Sequence, residues 1–453
     1  MLRLVAFSIL ALLILLFSCT SDSNEEIFHQ GDNFLIDNDL TNLIIAKGGA
    51  LEDYVLPDET DYNKIPQDPN NPLSRTKVEL GKLLFHETAL ARESAFPESM
   101  NTYSCATCHH ANAGFQANVA QGIGDGGIGF GQNGEGRILN PLCDNEDIDV
   151  QPIRTPSALN IAYQTNILWN GQFGGTSINL GTEANWTEGT PKAKNKLGFE
   201  GVETQAIAGL DVHRFGLSIE EDFIASTEYK ELFDIAFGDI SEEERYNSLT
   251  AGLAIAAYER TLLANQSPFQ KWLKGDKQAM SYNQKAGAMI FFNNSCNTCH
   301  DGPALSSMSF HAYGLDDLAG QSEAINVEYG DTENLGRGGF TGNAEDNYKF
   351  KVPQLYNLKD SPFLGHGSSM TSIKEMIEYK NNARAENDIV DPNQLSEHFV
   401  PLNLTEQEIS QLVEFISEGL YDPNLRRYNP SALPSGQCFP NNDALSKVDL
   451  GCI

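Results

Sequence analysis

Hydrophobic residues recur with a helical period along most of the chain, and no stretch alternates apolar and polar residues as a half-buried strand does. Polar residues that favour helix starts stand in front of several of these stretches. The predicted capping residues are Ser74, Ser241 with Glu244, Ser281 with Gln284, and Thr405 with Glu408. The first predicted helix covers residues 75–85, and a helical pattern covers residues 218–263. The pattern therefore predicts a mainly α fold.

The first residues follow the pattern of an export signal. Arg3 precedes an apolar run over residues 4–17, which is shorter than the ~20 residues that span a bilayer. Leu16-Phe17-Ser18-Cys19 resembles a bacterial lipobox, so residues 1–18 are predicted to be a lipoprotein signal peptide. We expect a lipid anchor on Cys19, on the periplasmic or cell-surface side of a Gram-negative envelope. Residues 19–71 are polar and acidic and are predicted to form a tether and an entry loop.

The formal net charge of −32 narrows the classes of partner. Binding of nucleic acid requires clustered positive charge, so a nucleic-acid partner is excluded. A widely spread negative charge is typical of a solvated surface, and it favours basic protein partners over acidic ones.

Two copies of C-x-x-C-H carry the chemistry of the chain, at residues 105–109 and 296–300. In this motif of c-type haem attachment, both thiols bind the porphyrin covalently and the adjacent histidine binds the iron. A zinc site or a redox C-x-x-C pair is the alternative, but neither requires a histidine directly after each second cysteine. We therefore expect two haems. The covalent attachment residues are Cys105, Cys108, Cys296 and Cys299, and the iron ligands are His109 and His300.

Three further cysteines follow Cys19 outside these motifs. A disulfide between Cys438 and Cys452 is plausible in an oxidising compartment. The sequence leaves open whether Cys143 pairs with either of them.

An internal repeat divides the chain. The segments at residues 80–85 and 286–291 are alike, and each precedes a haem motif. Pro156, Asn160 and Trp169 match Pro353, Asn357 and His366 with the same spacing. The repeat predicts an N-terminal haem domain over residues 72–275, a C-terminal haem domain over residues 276–430, and a cysteine-containing tail over residues 431–453. The two haem domains would have arisen by duplication.

Taken together, these residues resemble the bacterial di-haem cytochrome c peroxidase and MauG superfamily over residues 80–420. The matching segments include Arg154-Thr155-Pro156, Leu168-Trp169-Asn170-Gly171, Tyr258-Glu259-Arg260-Thr261, Phe350-Lys351-Val352-Pro353 and His366-Gly367-Ser368. The resemblance implies two cytochrome c-like α domains, a peroxidatic N-terminal haem, an electron-transferring C-terminal haem and an inter-haem tryptophan at Trp169. It also allows a homodimer.

Around the first haem, the chain departs from the family. Where peroxidases of this family carry a switchable distal histidine, this chain has Asp125, so the haem is expected to be open to peroxide. Gln205 matches the family's distal glutamine. Phe215 stands where the family has a glutamate, and His213, together with Arg214, is the candidate acid and base.

Around the second haem, the family places a methionine, or in MauG a tyrosine, on the helix after His-Gly-Ser. The methionine position falls on Lys380, and Tyr379 and Met376 are the candidate sixth ligands, with Tyr379 preferred. The family often holds calcium between the domains, but Arg154 stands at an asparagine ligand, and its positive charge disfavours the ion.

The first functional hypothesis is a lipid-anchored peroxidase that reduces hydrogen peroxide with electrons from a small c-type cytochrome or a cupredoxin. Gln205 and His213 would handle the protons, and Trp169 would carry electrons between the haems. A MauG-like oxidase of a protein or organic substrate is the second hypothesis. A non-catalytic di-haem electron-transfer protein is the third.

Overall fold

The structure is a computed structural model that describes residues 22–217, 227–322 and 324–452, with side chains from residue 35 onwards. The predicted signal peptide and the lipid site at Cys19 lie outside the described residues. Among those described, no helix combines the length and the apolar character needed to cross a membrane.

The described part of the chain is mainly helical, as predicted, and its only strands form two short antiparallel pairs. The helices are α1 (Asp22–Gly48), α2 (Arg75–His86), α3 (Cys105–Cys108), α4 (Gly201–Val212), α5 (Tyr229–Ala236), α6 (Glu242–Arg245), α7 (Ser248–Arg260), α8 (Pro268–Leu273), α9 (Tyr282–Asn293), α10 (Arg337–Thr341), α11 (Ile373–Asn382), α12 (Glu406–Glu414) and α13 (Ala444–Leu450). The strands are β1 (Gly127–Ile128) paired with β2 (Ile138–Leu139), and β3 (Phe310–His311) paired with β4 (Phe350–Lys351).

Helix α2 leads into the first C-x-x-C-H motif and crosses α7 at close range. Ser74 caps its start, since the hydroxyl accepts a hydrogen bond from the amide of Lys77. Gly81 stands at the crossing, where a Cβ atom would lie 1.8 Å from the carbonyl oxygen of Ala254. Only glycine allows the two backbones to approach this closely.

Helix α9 leads into the second motif and crosses α12 in the same way. Ser281 and Gln284 form the predicted capping box at its start. A Cβ atom at Gly287 would lie 2.0 Å from the carbonyl oxygen of Gln411. The two matching glycines of the sequence repeat therefore occupy matching helix crossings.

The predicted tether was wrong for residues 35–48, which are helical, whereas residues 49–71 are irregular apart from a short 3₁₀ turn at Leu51–Tyr54. Helix α1 packs against α9 and buries Ile36, Leu40 and Ile44 on one face. This i, i+4, i+8 spacing is a helical stripe that the surrounding acidic residues obscure. The carboxylate of Asp37 lies 2.9 Å from the ammonium of Lys285 and ties α1 to α9.

The predicted capping box at Ser241 was also misplaced. Its hydroxyl donates to the Glu244 carboxylate and leaves the backbone amides uncapped in a helix of one turn. The long helix starts after Asn247, whose side chain accepts from the amides of Leu249 and Thr250.

The tail folds back over the segment that carries the first motif. Cys438 and Cys452 form the predicted disulfide, and Cys143 is a buried free thiol. The carbonyl of Pro440 accepts hydrogen bonds from the hydroxyls of Ser104 and Thr107, at 3.0 and 3.3 Å. The last residues of the chain therefore brace the first C-x-x-C-H motif.

Candidate functional site

One cavity of ≈ 610 Å³ joins the two C-x-x-C-H motifs. Its wall includes the four motif cysteines, which are all free thiols, and both motif histidines. Trp169 and His366, the two residues related by the sequence repeat, also line it. The fold thus brings both predicted cofactor sites to a shared space.

The first motif presents its histidine to this cavity in a fixed orientation. Helix α3 places Cys105 and Cys108 one turn apart, and His109 ends the turn. The carbonyl of Phe115 accepts a hydrogen bond from Nδ1 of His109 at 3.2 Å, so in the neutral imidazole Nε2 carries no proton. Burial lowers the pKa of His109 to about 4, so the imidazole is neutral and can bind a metal.

The second motif repeats the arrangement. Nδ1 of His300 lies 3.1 Å from the carbonyl oxygens of both Leu305 and Pro353. Burial lowers the pKa of His300 to about 4 as well. Burial also raises the pKa of the Cys296 thiol to about 11.

Two buried cations on the cavity wall suit the carboxylates of haem. Arg154 is 3% exposed, its Nε has no hydrogen-bond partner, and its Nη2 donates to the Ser361 hydroxyl rather than to a carboxylate. Lys351 is also buried, and its ammonium donates to the side-chain oxygen of Gln164. Burial lowers the pKa of Arg154 to about 10 and that of Lys351 to about 7. The chemistry of the wall therefore fits two haems.

Among the described residues, no group of three or more His, Cys, Asp or Glu side chains is arranged to hold a metal ion.

Trp169 lines the cavity that joins the two motifs and is held by the loop before Pro156. Its indole Nε1 donates to the carbonyl of Arg154 at 2.8 Å, and its ring meets that of His366 edge to face with centroids 6.4 Å apart. Nε2 of His366 lies 3.0 Å from Oδ1 of Asp317, and its ring stacks on Phe350. The tryptophan therefore has a single defined orientation.

The repeat-related residues pair reciprocally across the centre. The amide of Arg154 donates to the carbonyl of His366 at 2.8 Å. The amide of Lys351 donates to the carbonyl of Trp169 at 2.7 Å. Each half of the chain thus supplies one donor and one acceptor to this pair of hydrogen bonds.

Gln205 and His213 line the cavity near the first motif, one on α4 and one at its end. Nδ1 of His213 lies 2.8 Å from Oδ2 of Asp149, and no sequence pattern predicted this pair. Burial acts to lower the pKa of His213, but the charge of Asp149 and this hydrogen bond outweigh it and raise the pKa. Phe215 packs beside them against Tyr103.

Asp125 turns away from the cavity. It is fully buried, and its Oδ2 accepts from the amide of Ala95 and from the guanidinium of Arg214, both at 2.6 Å. Neither Asp125 nor Arg214 is part of the cavity wall. The suggestion that Arg214 supplies positive charge at the first haem was therefore wrong, because Asp125 holds its guanidinium elsewhere.

Helix α11 presents Met376 and Lys380 to the second site, one turn apart. Tyr379, the preferred sixth ligand, is not part of the cavity wall. Its hydroxyl donates to the carbonyl of Tyr313 at 2.6 Å, and its ring packs against Phe399. The rotation of α11 thus directs the neighbouring Lys380, rather than Tyr379, to the cavity wall.

Comparisons with known proteins agree with this arrangement. The sequence profile of a family described as di-haem cytochrome c peroxidase matches residues 75–278. The methylamine utilization protein MauG of Methylorubrum extorquens is 27% identical over 78% of this chain and 80% of its own. The cytochrome c551 peroxidase of Pseudomonas aeruginosa is 26% identical over 75% of this chain and 82% of its own.

Solved structures show the same fold. A MauG-like protein associated with microbial copper homeostasis superposes with a TM-score of 0.55 at 21% identity, over 82% of this chain and 95% of its own. A di-haem peroxidase of Burkholderia thailandensis superposes with a TM-score of 0.50 at 14% identity, over 80% of this chain and 90% of its own. Residues 75–278 thus match the di-haem cytochrome c peroxidase family, and most of the chain is similar to MauG proteins and to cytochrome c peroxidases, which are oxidoreductases.

Proposed function

We propose that this protein reduces hydrogen peroxide to water with electrons from a small c-type cytochrome or a cupredoxin. Electrons would pass from the haem bound at His300 to the haem bound at His109. The observation that carries the proposal is the cavity that joins both motifs and has Trp169 on its wall. The overall reaction takes up two electrons and two protons for each peroxide and releases two waters.

Cys105 and Cys108 would hold the first haem covalently and Cys296 and Cys299 the second, with Arg154 and Lys351 pairing with haem carboxylates. The bound haems supply the electrons and the iron on which peroxide is reduced. The chain supplies orientation and protons. Because Asp125 is held away from the cavity, the side of the first haem that faces His213 would be open to peroxide.

His213 is proposed to move the proton. Asp149 fixes the tautomer in which Nδ1 carries the hydrogen, so the lone pair of Nε2 is available to peroxide. Nε2 would take the proton from one peroxide oxygen and return it to the other, which leaves as water. The Gln205 amide would hold peroxide in position by hydrogen bonding.

Trp169 is proposed to carry electrons between the sites. A large aromatic ring with one fixed orientation gives a short, well-packed route. The hydrogen bond from Nε1 to the carbonyl of Arg154 keeps the ring in place.

The paired hydrogen bonds of Arg154 and Lys351 and the matching glycines at the helix crossings support the division into haem domains at residues 72–275 and 276–430. Both also support an origin by duplication. We further propose a location in the bacterial periplasm or on the cell surface, since haem attachment of this type takes place outside the bacterial cytoplasm.

The test is steady-state peroxide reduction by the purified protein with two haems, using a reduced c-type cytochrome as donor. We expect turnover, and a high-spin ferric EPR signal that peroxide removes rapidly. Two low-spin haems that are inert to peroxide, even after half-reduction, would instead identify an electron-transfer protein. Ligation by Tyr379 would have favoured the MauG-like hypothesis, and the observed rotation of α11 does not support that ligation.

A further inference from the structure

We propose that Lys380 is the sixth ligand of the iron at the second haem site. This inference rests on the haem content assumed in the proposed function. The ligand atom is Nζ. Nζ loses one proton to solvent and forms one bond to iron, and no electron is transferred.

The surroundings of Lys380 carry the inference. It lines the cavity together with Cys296, Cys299 and His300 of the second motif. None of the residues that the structure describes forms a hydrogen bond or an ion pair with its ammonium, which lies 3.8 Å from the ring centroid of Tyr313. A cation enclosed without an anionic partner is costly, whereas a neutral amine bound to iron is satisfied.

The neighbouring candidates are engaged elsewhere or exposed. Met376 packs against a hydrophobic cluster formed by Leu364, Met370, Tyr379 and Phe399. A thioether has no need of a polar partner, so packing alone explains Met376. Both ring nitrogens of His311 lie near serine hydroxyls, at 3.1 Å from Ser396 and 3.0 Å from Ser309.

His398 also lines the cavity, but it belongs to an exposed loop rather than to a helix. Lys380 stands on α11, which Ser372 caps by accepting from the amide of Glu375. Tyr379 adds to the rigidity, since its hydroxyl holds the backbone of Tyr313 under the Lys380 ammonium. A ligand on a braced helix keeps a constant position relative to His300.

The experiment uses the full-length protein with its haem content measured as two per chain. EPR and near-infrared magnetic circular dichroism of the ferric protein distinguish nitrogen from thioether ligation. We expect one low-spin haem with two nitrogen ligands. Lys380→Ala should convert this haem to high spin. Lys380→Met, which places a thioether at the same position of α11, should give thioether ligation and an upward shift in reduction potential.

Lys374→Ala is the matched control, because Lys374 lies on the same helix, is exposed, and pairs with Glu378. It should leave the spectrum unchanged. A thioether signal in the unmodified protein that Met376→Leu removes would overturn the inference. So would a low-spin signal that survives Lys380→Ala but disappears in His398→Gln. The spectra do not depend on turnover, so the two proposals fail separately. An unchanged Lys380→Ala spectrum in an active enzyme would reject only Lys380 as the ligand. Absence of turnover would reject only the peroxidase proposal.

Discussion

Nδ1 of His213 lies 2.8 Å from Oδ2 of Asp149, a residue 64 positions away in the chain. The pair stands on the wall of the cavity next to the first motif. The carboxylate of Asp149 therefore determines the orientation and the tautomer of the imidazole that we propose to act on peroxide, and it raises the pKa of that imidazole.

Replacing His213 with Gln should slow peroxide reduction by about 10²–10⁴-fold, the usual contribution of a positioned acid and base. Haem content and the spectrum of the second haem should not change, since His213 binds neither cofactor. Stopped-flow mixing with peroxide measures the effect. Arg214→Gln is the control and should cause a much smaller loss of rate, because Arg214 does not line the cavity. Equal losses in both variants would argue against a proton-transfer role for His213.

Replacing Asp149 with Asn should shift the pH profile. Asp149 raises the pKa of His213, so the unmodified protein keeps this imidazole protonated to a higher pH than the ordinary value of about 6.5. A base must be neutral, so the rate should rise with pH through the pKa of His213, and this rise should move to lower pH in the variant. The stabilisation from the pair is complete below about pH 6.5 and is lost as the pH rises through the raised pKa. A profile that does not move would exclude His213 as the titrating group.

Replacing Trp169 with Phe should slow electron transfer between the haems and cost about 1 kcal/mol of stability for the lost hydrogen bond to Arg154. Trp186→Phe is the matched control. Trp186 is buried, and its Nε1 donates to the Thr182 hydroxyl at 3.1 Å, but it does not line the cavity. Rapid reduction of the second haem followed by optical detection at the first gives the rate. The same rate in both variants would remove Trp169 from the route.

Gly81→Ala and Gly287→Ala should each destabilise the protein by at least about 1–3 kcal/mol, because the added methyl group overlaps a facing carbonyl oxygen. Gly330→Ala is the control, since no atom lies within 4 Å of a Cβ built there. Denaturant unfolding measures the difference. If the two crossings belong to domains that unfold separately, each substitution should lower only one transition. Two transitions that move together would indicate one cooperative unit.

Replacing Cys438 and Cys452 with Ser should lower the free energy of unfolding by about 3 kcal/mol, the value for a closed loop of this size. Cys143→Ala tests whether removal of a free cysteine has any such effect. Thermal unfolding of the oxidised and the reduced protein provides the measurement. If reduction shifts the melting temperature of the double variant as much as that of the unmodified protein, the disulfide is not the source of the stabilisation.

Features that depend on neighbouring residues could be predicted from the sequence. The caps at Ser74, Ser281 and Thr405 form as expected, because a cap requires only a few consecutive residues. The haem motifs likewise contain their chemistry within five residues. The helix at the N-terminal end was missed, since its stripe of Ile36, Leu40 and Ile44 is visible only once α9 is known to cover it.

Features that depend on long-range contacts could not be predicted. Asp149 and His213 meet only because the loop after β2 returns to α4, and no local signal marks the pair. The choice between Tyr379 and Lys380 depends on the rotation of α11, where one position changes the direction of a side chain by about 100°. A family match indicates that a helix lies beside the haem, but the packing of Tyr379 against Phe399 decides which side chain faces it.

The carbonyl of Pro440 accepts hydrogen bonds from the hydroxyls of Ser104 and Thr107. The tail therefore contacts a haem attachment motif that lies more than 300 residues earlier in the chain. The motif is synthesised before the tail, although the two are in contact in the folded protein. We expect the motif to be accessible to the haem attachment machinery while the tail is still absent, and to close once the tail is in place. Haem attachment would then precede the folding of the tail over the motif. The tail would stabilise the cofactor site after the haem is bound.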